Sequence, residues 1–587
     1  MSGRERHAID LVLAIIAAAI LVPLATVWVA GAAGGLLTSG HPVTLSVGGA
    51  LTAAVKLPAH LGDPAAAWPG SARPHLPGVL VLDPLLALSA VVVLATVALV
   101  TTLVVRQLHH HDSDRAAQWA DRDELAELHT PSPQPGRITL GHHDGRLIAA
   151  EHRASVLCVG PSQSGKTTGL VVPAILEWQG PVVSTSVKAD VVHDTRIARA
   201  RLGDVFIFDP TGSTGLEHTP WSPLAAARTW ESARRTAANL LGVGDPGGAR
   251  NADETFWRPT GARYLAPLLL AAAYGENTMS DVLSWVATQA EKPPTALLTA
   301  CPSPGAPVAL QALRSIWDAD TKFRSNLTQT VATALDAWQE PRISKATAGD
   351  NQVSSRRLLD GKNTLYLIAP AHEQRRLRGL FTALVADVTA AAFERSASTG
   401  DPIDPPLLLA LDEVANIAPL PTLDEIASTG PGQGVQLLTV IQNISQAADR
   451  WGRDRAETII ANHRARVFCS GIGDRATLDY LQHTLGDEEI SRISTTRENA
   501  LATGSRTYSS DFRSLAAPHR VRQADTNTAL LVYGRLAPAW VALRPWYADP
   551  ALSQLVRAEP STDTPTPRPA GTARRALSRA KSLVATR

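Results

Sequence analysis

Gly160-Pro161-Ser162-Gln163-Ser164-Gly165-Lys166-Thr167 fits the pattern G-x-x-x-x-G-K-[ST], and its flanks supply the context that pattern requires. Ahead of it, Ala154-Ser155-Val156-Leu157-Cys158-Val159 is a short apolar, β-branched run of the kind that forms a buried strand. Behind it, Thr168 to Trp178 has helical periodicity. A loop between such a strand and helix curls at its glycines, so that successive backbone N–H groups face a phosphate and the helix adds its positive dipole end. Residues 160 to 168, closing on Thr168, are therefore the expected cradle for a nucleoside triphosphate, ATP with Mg²⁺. Lys166 is expected to reach the β- and γ-phosphates, and the Thr167 hydroxyl to ligate the ion.

Pro181-Val182-Val183-Ser184-Thr185 and Val205-Phe206-Ile207-Phe208 continue the alternation of strand and helix, which predicts an α/β protein with a doubly wound parallel sheet. From about Trp221 to Lys345 the pattern is almost entirely helical, so residues 221–345 are expected to be an all-α insertion between 137–220 and 346–549. The sheet resumes with Thr364-Leu365-Tyr366-Leu367-Ile368-Ala369, then a long helix from Glu373 to Arg395, then Leu407-Leu408-Leu409-Ala410-Leu411. That last run ends in Asp412-Glu413. An apolar strand delivering two acids is the Walker B arrangement, with Asp412 on Mg²⁺ and Glu413 orienting or deprotonating the attacking water. The next apolar run, Val435 to Ile441, ends in Gln442-Asn443 at the sheet edge where open α/β folds bind ligands, which makes Gln442 a candidate γ-phosphate sensor.

The N-terminus adds a membrane anchor, residues 1–110. Leu11 to Ala30 and Leu85 to Val105 are each long and apolar enough to span a bilayer. Ala30-Gly31-Ala32 resembles a signal-cleavage site, but the run before it exceeds a usual signal core, which favours a retained span. Arg4 and Arg6 precede the first span, Arg106 and Arg115 follow the second, and the loop between carries only Lys56 and Arg73. This bias predicts both ends in the cytoplasm. His109-His110-His111 cannot converge on one ion from consecutive helical positions and reads as a polar cuff. Residues 111–136 read as a linker, charged and helical from Arg115 to Leu128 and turn-rich thereafter, and residues 550–587 as a disordered tail with a basic end.

Composition sets outer bounds. The 587 residues, 45% hydrophobic, suffice for several packed cores, while 55 basic against 54 acidic residues leave no global field to attract nucleic acid. Cys158, Cys301 and Cys469 lack the spacing of a zinc site or a disulfide framework and read as reduced thiols.

Taken in order, these features resemble the type IV coupling proteins, membrane-anchored conjugative ATPases. The likeness covers most of residues 1–550. It rests on the two spans, the loop with Leu170-Val171-Val172-Pro173 behind it, Val187-Lys188-Ala189-Asp190, Phe208-Asp209-Pro210, Phe256-Trp257, Leu411-Asp412-Glu413-Val414-Ala415-Asn416, and Gln442 at the expected interval. The resemblance implies a RecA-like motor domain in the bacterial inner membrane's cytoplasmic face and an all-α domain that meets substrate. It also implies a homohexamer and ATP-driven movement of single-stranded DNA, with its relaxase, to type IV secretion channel components. Two departures stand out. Lys188-Ala189-Asp190 replaces the family's Lys-Gly-Glu, and Thr429-Gly430-Pro431-Gly432-Gln433-Gly434 lacks the arginine the family carries after Walker B, which leaves Arg464 or Arg466 as substitutes acting across a subunit interface. A septal-type double-stranded DNA pump and a protein-exporting membrane ATPase are the alternative readings.

Overall fold

The computed structural model describes residues 3–112, 117–243, 252–349, 352–496 and 505–557. They form two compact units, one from the described residues up to 117 with 487–496 and 505–513, the other from the described residues of 118–486 with 514–557.

In the first unit two long helices, Gly3–Ser39 and Val79–Asp112, contain apolar windows long enough to cross a membrane, Leu21–Ser39 and Val79–Val100. Both helices extend beyond the expected spans. The segment between them is also more ordered than its glycine and proline content suggests. A helix, Val47–Lys56, is capped by Ser46, and a small core gathers Ala53, Ala67, Leu76 and Leu82 around the fully buried Trp68. Among its polar ties, Arg73 donates to the carbonyls of Trp68 and Ala66.

In the second unit the strands are β1 (Thr139–His143), β2 (Arg146–Ala149), β3 (Val156–Val159), β4 (Val182–Ser186), β5 (Val205–Phe208), β6 (Thr364–Ile368), β7 (Leu407–Leu411), β8 (Val435–Ile441) and β9 (Ala465–Cys469). In chain order β10 (Asp487–Thr496) and β11 (Ser505–Ser514) follow, their residues up to 513 belonging to the first unit, and then β12 (Thr528–Tyr533) and β13 (Ala539–Ala542) of the second. Eleven of them make one sheet in the order β2-β1-β13-β12-β9-β3-β8-β7-β4-β6-β5. From β9 to β5 every neighbouring pair is parallel, and from β12 to β2 every pair is antiparallel. The parallel strands are buried on both faces, which is why they read as unbroken apolar runs.

Three expectations change. Residues 122–128, expected helical, are successive turns. Leu125 and Leu128 bury under the sheet and His129 bridges to Ile148, so most of the supposed linker belongs to the domain. Residues 487–496 and 505–514, assigned from sequence to the nucleotide-binding domain, form a separate two-stranded ribbon, β10 with β11. Pro550–Arg557, assigned to the tail, is a helix whose start is capped by Asp549 and whose Leu552 is buried. The rest of the tail lies outside the described residues.

Between β5 and β6 the described residues form only helices and turns. Their starts are set locally: Thr229 with Ser232 and Thr278 with Asp281 make capping boxes, and Asp320 caps Phe323. This segment shares one continuous core with the sheet. The helix Trp230–Leu240 is gripped on two sides by glycines, Gly261 against Leu241 and Gly379 of the long helix Gln374–Thr399 against the Leu240 carbonyl.

Candidate nucleotide site

β3 ends at Val159 and the loop 160–166 turns at the carboxyl edge of the parallel strands. Gly160 sits where a Cβ would lie 2.7 Å from the Cys469 Cβ and 2.8 Å from the Ser164 hydroxyl. Gly165 has φ +85, and a Cβ there would meet the Asn527 side-chain oxygen at 2.4 Å. Both positions therefore need glycine, one for room and one for backbone as well. Gln163 takes the left-handed conformation, φ +64, as a curled loop demands. The Ser164 hydroxyl and the Lys166 ammonium both donate to the Pro161 carbonyl, at 2.9 and 2.5 Å, which draws the loop around itself.

The helix after the loop begins with a wide turn, Thr167–Val171, before the α-helix Val172–Glu177. The cause is Pro173. It has no N–H for the Gly169 carbonyl four residues back, and Val172 bonds to Thr167 instead of Thr168. The two released carbonyls are taken by the chain after β13: Arg544 N–H reaches Gly169 at 3.2 Å and Trp546 N–H reaches Thr168 at 3.0 Å. Arg544 is itself anchored, its guanidinium bonded to Glu177 and Asp549 and nearly buried. Because β12 and β13 run antiparallel, the start of one (Asn527) and the exit of the other (Leu543 to Trp546) both arrive beside the loop.

β8 lies between β3 and β7, so the chain brings Asp412-Glu413 and Gln442 to the same edge as the loop. Thr167 Oγ1 donates to Asp412 Oδ2 at 2.8 Å. Thr185, from β4, donates to the Asp412 carbonyl at 2.9 Å. Asp412 is only 6% exposed, and burial, reinforced by the neighbouring Glu413, pushes its carboxyl up to about 6 against the opposing pull of Thr167 and Lys166. A threonine hydroxyl and a carboxylate are hard oxygen donors, the set that suits Mg²⁺. Glu413 holds the left-handed backbone at φ +51, worth about 1–2 kcal/mol of strain for a residue with a side chain, and starts the short helix Val414–Ile417.

Residues to which no role attached from sequence join this group. Asn416 donates to Glu413 Oε2 at 3.1 Å, and Gln446, on the helix Ile444–Trp451, bridges Asn416 to the backbone of Gln442. Gln446 lies four residues after Gln442, a spacing common to any amide-capped helix start, so only the fold singles it out. Cys158 and Cys469 lie buried on adjacent strands beneath the loop with sulfurs 3.6 Å apart, and remain thiols. Arg464 stands at the amino edge of β9, the far end of the strand from the loop, where it pairs with Glu151 at 2.5 Å and overlies Tyr533. Arg466 donates to the Tyr480 hydroxyl. Neither reaches the loop of its own chain.

The central parallel strands, the loop and the acid pair together define a P-loop nucleotide-binding protein of RecA-like build. A family model described as "Type IV secretory system Conjugative DNA transfer" matches residues 111–568, and the chain belongs to that family. Among curated proteins it is 24% identical over 484 residues to VirD4 of Rhizobium radiobacter, covering 79% of this chain and 68% of that protein. It is likewise 24% identical over 428 residues to the conjugal transfer protein TraG of Escherichia coli, covering 63% and 66%. Among solved structures, the unbound bacterial conjugative coupling protein TrwBdeltaN70 superposes with a TM-score of 0.56 at 16% identity, covering 77% of this chain and 95% of that one. The plasmid coupling protein TrwB in complex with ADP and Mg²⁺ gives 0.55 at 17%, covering 73% and 94%. The likeness in structure is one of fold.

Proposed function

We propose that this chain is an ATP-driven coupling protein of a conjugative type IV secretion system, which recruits single-stranded DNA with its relaxase and moves it toward the channel. The contact between Thr167 and Asp412 carries the reading, because it joins the phosphate-binding loop to the acid pair inside a member of the conjugative transfer family. Residues 160–168 hold the triphosphate, with Lys166 on its β- and γ-phosphates. Thr167 and Asp412 hold Mg²⁺, which supplies charge neutralisation on the phosphates. Glu413 orients the attacking water and accepts its proton, and Gln442 faces the γ-phosphate. That the neighbour TrwB is described in complex with ADP and Mg²⁺ supports this assignment.

The two apolar helices anchor the chain in the inner membrane, with the second unit's nucleotide site in the cytoplasm and the segment between the helices outside, as the arginine flanks direct. The helical residues 221–345 dock substrate, and a homohexamer sets the motor around the DNA. The test is transfer itself: a donor strain lacking the chromosomal or plasmid copy is complemented with the parent or with Lys166→Ala, and transconjugants are counted. Lys166→Ala is expected to abolish transfer while the protein still accumulates in the membrane fraction. Parental transfer by Lys166→Ala would overturn the reading.

A further inference from the structure

The acid pair is tied to the sensor strand by a chain of amides, and each amide's orientation follows from its neighbour. A carboxylate only accepts, so the group that meets Glu413 Oε2 must be the Asn416 nitrogen, 3.1 Å away. That turns the Asn416 oxygen toward Gln446, whose nitrogen meets it at 3.4 Å. The Gln446 oxygen is then left for the backbone N–H of Gln442, at 3.0 Å. Gln446 is held in turn, since its own N–H is capped by the Asn443 side chain at 2.8 Å. The run Glu413, Asn416, Gln446, Gln442 thus crosses from the end of β7 to the end of β8 without a free rotor, and it begins at a residue in the left-handed conformation.

We infer that Asn416 and Gln446 are positioning residues for hydrolysis: they hold the Glu413 carboxylate in its working orientation and couple that orientation to the backbone of Gln442. A shift of the loop at Gln442 when the γ-phosphate arrives or leaves is passed through the Gln446 amide to Asn416 and so to Glu413. The inference rests on the assignment of Glu413 under the proposed function. It assigns neither residue a contact with the nucleotide, so binding is not where the effect falls.

The experiment is steady-state ATP turnover by the full-length protein in membranes or detergent, with nucleotide affinity measured separately. Asn416→Ala should lower kcat by about 10- to 100-fold, the scale of a misplaced catalytic group, and leave KM within about twofold. Gln446→Met, which keeps the shape and removes the hydrogen bonds, should lower kcat in the same direction and by less. The deciding measurement is the Asn416→Ala substitution in a Glu413→Gln background: a residue that acts through Glu413 has nothing further to lose there. Equal losses in both backgrounds, or parental kcat in Asn416→Ala and Gln446→Met, would overturn the inference. Should Asn416→Ala fail to fold, Gln446→Met in the two backgrounds carries the same test. Parental turnover in Glu413→Gln alone would instead defeat the assignment of Glu413, and is distinguishable because it needs neither amide variant.

Discussion

The Thr167 hydroxyl and the Asp412 carboxylate, 245 residues apart in the chain, meet at 2.8 Å. The contact draws a buried carboxyl against the glycine loop 160–166, and the arrangement costs stability. Burial raises Asp412 from 3.8 to about 6, which amounts to about 3 kcal/mol of preference for the acid form. Because the folded state holds this proton more tightly than the unfolded chain does, the group favours folding at low pH, and that contribution is lost as pH rises from about 4 through about 6. Asp412→Asn is therefore expected to raise the melting temperature of the nucleotide-free protein at pH 7.5, and to raise it by less, about a third of that effect, at pH 4.5. Mg²⁺ affinity of the parent should increase from pH 5 to pH 7 as the carboxyl ionises, a dependence that Asp412→Asn abolishes. Calorimetry at the two pH values and a Mg²⁺ titration with nucleotide present check both.

Gly165→Ala should eliminate nucleotide binding. Two effects add: the backbone at φ +85 disfavours any Cβ by about 1–2 kcal/mol, and the new methyl would stand 2.4 Å from the Asn527 oxygen. Asn527→Ala relieves the second effect only. The double variant is expected to recover part of the binding, measured by fluorescent-nucleotide titration, and full recovery would show that the backbone is not strained.

Helix glycines in this chain should respond in opposite directions. Gly379 packs against the Leu240 carbonyl, where a Cβ would lie at 2.6 Å, whereas a Cβ on Gly432 meets nothing within 4 Å. Gly379→Ala gains up to about 1 kcal/mol of helix propensity but must push apart two helices, at about 1–3 kcal/mol, so a net loss is expected. Gly432→Ala should be neutral or stabilising by up to about 1 kcal/mol. Urea unfolding of the two variants gives the comparison.

Membrane topology is open to chemical labelling. With Cys301 replaced by serine and Cys158 and Cys469 buried, a single cysteine at Ser71 should react with an impermeant reagent in intact cells, and one at Ser132 only after permeabilisation. Labelling of the Ser132 position alone in intact cells would reverse the proposed orientation.

The sequence by itself determined the loop 160–168, the strand that carries Asp412-Glu413, and the parallel α/β class, because a phosphate cradle and fully buried strands demand local residue patterns with few substitutes. It also marked the two long apolar helices, where length and hydropathy alone decide. Tertiary structure decided the rest. That β8 lies between β3 and β7, and so brings Gln442 beside the acid pair, is a matter of strand order that no local run encodes. The wide turn after Lys166 depends on Pro173 and on donors from Arg544 and Trp546, more than 370 residues later. Residues 122–128 show the converse: their charges read as helix, yet Leu125 and Leu128 bury against the sheet in a series of turns, since contact with a distant surface outweighed a weak local preference. The amides of Asn416 and Gln446 are ordinary in sequence and gain meaning only where the fold places one within reach of Glu413 and the other within reach of Gln442.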